Sequence, residues 1–234
     1  MAKLTWAGQS CFQISVSNGK DHEATIVIDP FDEKIGLKVP SFSADILLVS
    51  HAHHDHNNVA AIKPFGVAQG EGRPFLIESP GEYEVKGVFV QGIDSFHDDS
   101  EGKQRGKNTI YTIEAENMRF CHLGDFGQKQ LTDEQLEKIG KVDILMIPVG
   151  GTFTVDGHEA AKVIGQIEPK IVVPMHYALA LPTGRQAKLK VEIDGVEKFL
   201  KAMGKKDVVS QDKLTIKHSA LPKEGAMEIV VLQP

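Results

Sequence analysis

The chain has 234 residues, of which 41% are hydrophobic and 25% charged, and its formal net charge is -6. This length allows one large domain with a sizeable core or two small ones, and the ordinary composition argues against disorder. Because the balance of charge is acidic, a protein whose main task is to grip phosphate backbones is disfavoured, and nucleic acid is not an expected partner.

The chain carries no recognisable export or membrane signal. Its first residues lack a basic start followed by a long apolar run, and no segment reaches the roughly 20 apolar residues that span a membrane. We therefore expect a cytoplasmic protein with no membrane partner. Cys11 and Cys121 lie in apolar stretches, so we predict two reduced, buried thiols.

Short strands dominate the predicted first half. Alternating or continuous apolar runs, closed by turn residues, are typical of strands. The predicted strands are Lys3–Trp6, Cys11–Val16, Ala24–Ile28, Ile46–Val49, Val85–Ile93, Thr109–Ile113 and Arg119–Leu123. The turn AGQS joins the first two strands, and Asp29-Pro30 closes the third.

Strands alternate with helices in the predicted second half. Helices are expected after Thr132, from Asp156 to Pro169 and over Val191–Met203, which Gly204 would end. The predicted strands here are Asp143–Ile147, Ile171–Val173, Thr215–Lys217 and Met227–Leu232. No linker interrupts the pattern, so it favours one layered α/β domain over residues 1–234.

A histidine-rich segment follows the strand that ends at Ser50. His51, His53, Asp55 and His56 fall within six residues. Imidazole and carboxylate groups are the ligands that zinc and similar divalent ions prefer. His51 and His53 are two residues apart, so extended backbone would direct both to one side, where they could chelate one metal. Asp55 and His56 could then reach a second metal.

Three more candidate ligands stand where predicted strands give way to loops: His97, Asp125 and His176. Such positions share one edge of the sheet in layered α/β folds, which is where active sites commonly lie. His122 competes with His97, but its apolar surroundings favour a supporting role. His54 would point away from its neighbours in extended backbone, so we do not expect it to bind metal.

Candidate substrate contacts lie beside these ligands. Arg105 and Asn108 belong to the polar stretch after His97, and Arg105 could pair with an anionic substrate group such as phosphate if this loop covers the site. The alternative for Arg105 is a solvated charge run. Tyr177 follows His176 and could polarise a substrate oxygen, although packing is the favoured role.

The segments HAHHDH, HLGDFG, VPMHY, SPGEY and PVGGTFT resemble the metallo-β-lactamase-fold superfamily, in its cytoplasmic branch of zinc-dependent hydrolases related to ascorbate-phosphate lactonases. The resemblance covers nearly the whole chain. It implies a four-layer αββα sandwich, in which two mixed β-sheets are flanked by helices. It also implies that His51, His53 and His97 hold one metal, that Asp55, His56 and His176 hold another, and that Asp125 bridges the two.

This ligand set predicts two divalent ions, with zinc favoured and manganese or iron acceptable. A hydroxide between the metals would be the nucleophile, and Asp55 and Asp125 are the expected catalytic carboxylates. The expected reaction is hydrolysis of a small ester-like substrate, a phosphodiester or a lactone. The alternatives are an RNA or DNA nuclease with the same metal chemistry, and a metal-binding protein without turnover.

Overall fold

The computed structural model describes residues 1–17, 23–64, 73–179, 192–206 and 208–234. The elements, in chain order, are β1 (Ala2–Gly8), β2 (Cys11–Ser17), β3 (Glu23–Ile28), β4 (Ser43–Ala44), β5 (Ile46–Leu48), β6 (Lys63–Pro64), β7 (Phe75–Ile77), β8 (Gly81–Val85), β9 (Val88–Phe96), β10 (Lys107–Ala115), β11 (Met118–His122), α1 (Asp133–Ile139), β12 (Ile144–Pro148), α2 (Gly157–Ile167), β13 (Ile171–Met175), α3 (Val196–Ala202), β14 (Leu214–Ile216) and β15 (Glu228–Ile229). Short 3₁₀ helices lie at Glu33–Ile35, Val59–Ala61 and His218–Ala220.

Two large mixed sheets form the centre of the fold. The strand order of the first sheet is β14, β1, β2, β3, β5, β7, and that of the second is β15, β13, β12, β11, β10, β9, β8. Antiparallel pairing through β1, β2 and β3 changes to parallel pairing at β5 and β7. In the second sheet, the change to parallel pairing comes at β12. The predicted pair of mixed sheets is confirmed.

The two sheets share one apolar core. Trp6 and Phe12 of the first sheet are fully buried in the same cluster as Tyr111 and Phe120 of the second. β1 alternates buried and partly exposed residues, as expected of a strand with one face in the core. Each fully buried aromatic side chain contributes about 1.5–3 kcal/mol to folding. Both cysteines are free and buried, as predicted.

Two helices connect the parallel strands of the second sheet. α1 connects β11 to β12, and α2 connects β12 to β13. Both helices begin with a capping box, made by Thr132 and Gln135 in α1 and by Asp156 and Glu159 in α2. Within the described parts of the chain, no helix is long and apolar enough to cross a membrane.

Loops and short 3₁₀ helices contribute to the outer face of the first sheet. In the described residues, Phe31, Ile35 and Ile62 cover this face, and they come from loops and 3₁₀ helices. The stretch that contains Phe31 and Ile35 also carries Pro30, Gly36 and Pro40, which disfavour a regular helix there.

Most predicted elements differ from the observed ones by up to three residues at their ends, and two differ by more. The single strand expected over Val85–Ile93 is wrong, because Lys86 and Gly87, with φ of 51° and 71°, turn the chain into a hairpin of β8 and β9. The helix expected over Val191–Met203 is α3 alone, with Gly195 as its N-cap. Residue 191 lies outside the described residues.

Candidate metal centre

The ends of four strands bring the predicted ligands together. β5 leads into the histidine-rich segment, β9 ends just before His97, β11 leads to Asp125, and β13 ends just before His176. Two groups of ligand atoms result, and within each group all ligand atoms lie within 4.8 Å of one another. The first group is His51, His53 and His97, and the second is Asp55, His56, Asp125 and His176.

A tight turn, and not extended backbone, brings together His51, His53, Asp55 and His56. The amide of His56 donates to the carbonyl of His53 over 3.0 Å, which closes the turn after β5. His51 and His53 still converge, with 3.0 Å between Nε2 of His51 and Nδ1 of His53. The two rings therefore offer different nitrogens to the same point.

The Asp125 carboxylate lies between the two groups. Its Oδ2 is 3.3 Å from Nε2 of His97, which belongs to the first group. The same oxygen is 3.1 Å from Nε2 of His56 and 3.4 Å from Nε2 of His176, which belong to the second. One oxygen of Asp125 thus lies within 3.4 Å of imidazole nitrogens from both groups.

Asp29 supports one ligand from each group. Its Oδ2 is 2.9 Å from Nδ1 of His56 and accepts a 2.7 Å hydrogen bond from Oγ of Ser50. That hydroxyl is in turn 2.9 Å from Nδ1 of His51. Because Ser50 donates to Asp29, it must accept from Nδ1–H of His51. Both imidazoles are then fixed with Nδ1 protonated and Nε2 free for a metal.

The turn between β1 and β2 also reaches the site. Gln9 donates from Nε2 to Oδ2 of Asp55 over 3.0 Å, and Ser10 donates from Oγ to Oδ1 of Asp125 over 3.2 Å. The backbone carbonyl of Gln9 accepts from the amide of His176 over 3.0 Å. These contacts hold both carboxylates and the last histidine in place.

Three residues at this edge have unusual backbone geometry. Gln9, Asp29 and His176 all have positive φ, at 53°, 48° and 52°. Non-glycine residues in this region cost energy, and such residues cluster at functional sites. All three belong to the cluster or contact it directly.

The charges of the site favour a bound cation. Burial, followed by the charge of His56, lowers the pKa of His51 to about 2, so this imidazole is neutral. Burial would raise the pKa of Asp125, but His176 and His56 hold it well below its usual value. Burial would lower the pKa of His56 and His176, yet the charge of Asp125 raises both. The second group therefore attracts a proton or a metal ion.

The donor set fits a metal. Nε2 of His56 is buried, faces the Asp55 and Asp125 carboxylates, and makes no aligned hydrogen bond in the described residues. A buried polar atom without a partner costs about 1–3 kcal/mol, which a metal–nitrogen bond would offset. The groups offer imidazole nitrogens and carboxylate oxygens, which are the usual ligands of zinc.

Comparison with known proteins identifies the family. A family model described as the β-lactamase superfamily domain matches residues 3–176, which include all seven predicted ligands. The chain belongs to the metallo-β-lactamase superfamily.

Similar members of the superfamily are known from archaea and bacteria. A protein named metal-dependent hydrolase from Thermococcus onnurineus is 32% identical over 199 residues, covering 76% of this chain and 85% of that protein. Another from Thermococcus kodakarensis is 30% identical with the same coverage. The crystal structure of a proposed Zn-dependent hydrolase of the metallo-β-lactamase superfamily from Thermotoga maritima is 33% identical, with a TM-score of 0.72 and full coverage of both chains. The predicted family, and with it the class of metal-dependent hydrolase, is confirmed.

Two further histidines, His54 and His122, lie near the site but do not belong to the ligand groups. His122 uses both ring nitrogens, since Nε2 lies 2.9 Å from the carbonyl of Ser10 and Nδ1 accepts from the amide of Gly124 over 3.0 Å. The side chain of His54 is 58% exposed and lies outside both groups. The structure therefore places both as expected from the sequence.

Two of the three candidate substrate contacts have structural partners instead. Asn108 is buried; it donates from Nδ2 to Ser95 and to the carbonyl of Leu123, and accepts from the amide of Asp125 over 3.0 Å. It therefore positions Asp125 from beneath. Tyr177 packs against Trp6 and donates its hydroxyl to the carbonyl of Leu232. The polar atoms of Asn108 are already bonded within the fold, which differs from the substrate contact expected for it. The packing of Tyr177 against Trp6 agrees with the role that the sequence favoured for Tyr177.

Arg105 and the metal groups line one cleft of about 520 Å³. Gln104 and Arg105, from the loop after His97, line this cleft. His53, Asp55 and Asp125 lie on its metal side, and Arg105 lies on its rim beside Phe153. The volume falls in the range of small-molecule sites.

The supporting residues Asp29, Gln9, Ser10 and Asn108 were not predicted in these roles. Two signals were present in the sequence: Asp29 directly follows a buried strand, as the ligands do, and Gln9-Ser10 forms the first turn. Neither signal indicates by itself which distant ligand the side chain meets.

Proposed function

We propose that this chain is a dinuclear metal-dependent hydrolase of a small ester-like substrate, a phosphodiester or a lactone. One observation carries the proposal: a single oxygen of Asp125 lies 3.1–3.4 Å from imidazole nitrogens of both ligand groups. A carboxylate so placed suits two cations, because its negative charge offsets their mutual repulsion.

Zinc is the proposed metal, with manganese or iron as alternatives, since five imidazoles and two carboxylates accept each of these ions. Two bound ions would lower the pKa of a water molecule held at the site and polarise the substrate's ester oxygen. His51, His53 and His97 would hold one ion, and the second group would hold the other.

The chain's own residues would bind and orient the reactants. Asp55 lines the cleft, and its anionic carboxylate, held by Gln9, can accept a hydrogen bond from a water molecule and orient it. The cleft, whose volume suits a small molecule, favours a small ester over a nucleic-acid chain.

The Asp125→Asn variant tests this proposal. Asparagine keeps the shape of the side chain but removes the charge that would bridge two cations. We expect hydrolysis of chromogenic phosphodiesters and lactones to fall by about 10³-fold or more, because a substitution that disrupts a metal centre removes most of its catalysis.

The matched control is Asp99→Asn, which changes an exposed aspartate paired with Lys129 at 2.7 Å. It should retain full activity, and far-ultraviolet circular dichroism should show that both variants are folded. Undiminished hydrolysis by Asp125→Asn would overturn the proposed mechanism.

A further inference from the structure

The guanidinium of Arg105 is held in place by an adjacent turn. Its Nη2 donates to the carbonyl of Thr152 over 2.9 Å, and its central carbon lies 5.3 Å from the centre of the Phe153 ring. An arginine stacked on an aromatic ring and fixed at one nitrogen loses little freedom when its other N–H groups bind a ligand.

The backbone on which Arg105 stands is also fixed. The carboxylate of Asp98 accepts hydrogen bonds of 2.7–3.0 Å from four amides of the same loop, those of Ser100, Gly102, Gln104 and Arg105. Asp98 follows His97 directly, so the loop that carries Arg105 is tied to a metal ligand.

The turn that holds the guanidinium is built against the metal site. A Cβ atom at Gly150 would lie 2.2 Å from the carbonyl oxygen of His176, so only glycine fits there. Thr152 has a φ of 62° and donates from Oγ1 to the carbonyl of Glu192 over 2.8 Å. The segment PVGGTFT thus sets the carbonyl and the ring that hold Arg105.

Arg105 has no carboxylate partner in the described residues. Lys34 also lines the cleft, but it pairs with Asp32 at 3.3 Å. A guanidinium carries five N–H donors, and the bond to Thr152 occupies one of them. Of the two cationic side chains Lys34 and Arg105 that line the cleft, Arg105 is therefore the one without a carboxylate partner in the described residues.

We propose that Arg105 forms an oxyanion subsite at the rim of the cleft, so that the substrate is an ester that carries a carboxylate or phosphate group away from the bond that breaks. Ile35, Phe153 and Ile193 line the same cleft, so the body of the substrate that joins its two ends is apolar. This inference rests on the proposed function, because the metal groups would bind the reacting end of the same molecule.

The same contacts would also allow a purely structural role, in which Arg105 only ties two loops together. The two roles differ in one respect. A structural arginine affects all ligands alike, whereas an oxyanion subsite discriminates between charged and neutral ligands of the same shape.

The test compares matched ligands on zinc-loaded protein. Benzohydroxamate, whose hydroxamate binds metals, is compared by isothermal titration calorimetry with benzohydroxamates that carry a carboxylate or a phosphonate at the meta or para position. We expect the best charged probe to bind the wild-type protein about tenfold or more tightly than the neutral one, as charge-assisted hydrogen bonds allow. Preference for carboxylate or phosphonate distinguishes the two oxyanions.

Arg105→Gln should abolish the preference and leave the affinity for neutral benzohydroxamate and the zinc content unchanged. Arg105→Lys should keep part of it, and the control Lys103→Gln, which removes an exposed charge paired with Glu101 in the same loop, should keep all of it. Equal binding of charged and neutral probes by the wild type, or equal losses for both probes in Arg105→Gln, would overturn the inference. A chain that takes up no zinc and binds no hydroxamate would instead overturn the proposed function, and this inference with it.

Discussion

Asp29 connects the two ligand groups through one buried carboxylate. It accepts from Ser50 and lies beside His56, and through Ser50 it also fixes His51. Partners of this kind set the tautomer of a metal-binding imidazole and increase its basicity. A change at Asp29 should therefore affect both metals, although Asp29 belongs to neither ligand group.

The Asp29→Asn variant should bind both metals about 10–100-fold more weakly, because an amide accepts fewer hydrogen bonds and would present N–H groups to His56 and Ser50. Competition with a chelating dye would measure both affinities. Asp143→Asn, which alters a partly buried carboxylate paired with Lys170 outside the site, is the control and should bind metal normally. Loss of one metal alone would contradict the shared role of Asp29.

Metal affinity should rise with pH across neutrality. The charge of Asp125 raises the pKa of both His56 and His176, so in the metal-free protein these imidazoles keep their protons to a higher pH than an ordinary histidine. Metal binding must release those protons, and affinity therefore increases until the raised pKa values are passed. Dye competition at pH 6, 7 and 8 measures this trend. An affinity independent of pH would show that neither imidazole is a ligand.

The sequence pointed to the candidate ligands that the structure brings together, whereas it did not point to the residues that support them. His51, His53, Asp55 and His56 form a local motif whose chemistry is visible in six residues. The contact between Gln9 and Asp55 joins positions 46 residues apart, and the contact between Ser10 and Asp125 joins positions 115 apart. Such contacts arise only from the packing of the sheets, and no local pattern encodes them.

Strand ends and their turns place the candidate ligands. Gly124 connects β11 to Asp125 with a φ of 58°, and a Cβ atom there would lie 2.3 Å from Oδ1 of Asn108 and 2.8 Å from Cβ of Ser50. Asn108 is the residue that accepts from the amide of Asp125. The position of Asp125 therefore depends on glycine at 124.

We expect Gly124→Ala to destabilise the protein by roughly 2–4 kcal/mol, since it combines left-handed backbone with overlap against Asn108 and Ser50. The control Gly165→Ala, within α2 with no atom near its Cβ position, should stabilise the protein by about 0.5–1 kcal/mol. Urea unfolding measures both changes. A Gly124→Ala variant as stable as the wild type would show that the turn can rearrange.

Element type was predictable where the sequence has a clear apolar run or helix cap, and element bounds were less so. The buried strand at Ile46–Leu48 follows from an apolar run. The helix at Gly157–Ile167 follows from the Asp156 cap and from the helical spacing of its apolar residues. The hairpin inside Val85–Ile93 was missed because apolar residues lie on both sides of Lys86-Gly87, so the stretch resembles one continuous strand. Both arms of a hairpin have the same two-residue period, so the pattern does not show where the chain reverses.

The two sheets each supply part of the site. His51, His53, Asp55 and His56 follow β5 of the first sheet, and His97, Asp125 and His176 follow strands of the second. Each metal group contains ligands from both sheets. This arrangement was predicted from the resemblance of the motifs to the metallo-β-lactamase-fold superfamily. The spacing of the motifs alone does not show that distant strand ends meet.

We propose that these ligands hold two metal ions, and the metal content per chain tests this proposal without reference to any substrate. Elemental analysis of protein purified without chelator should find about two divalent ions per chain, as a dinuclear centre requires. A chain that holds no metal, even after zinc or manganese is added back, would contradict the account.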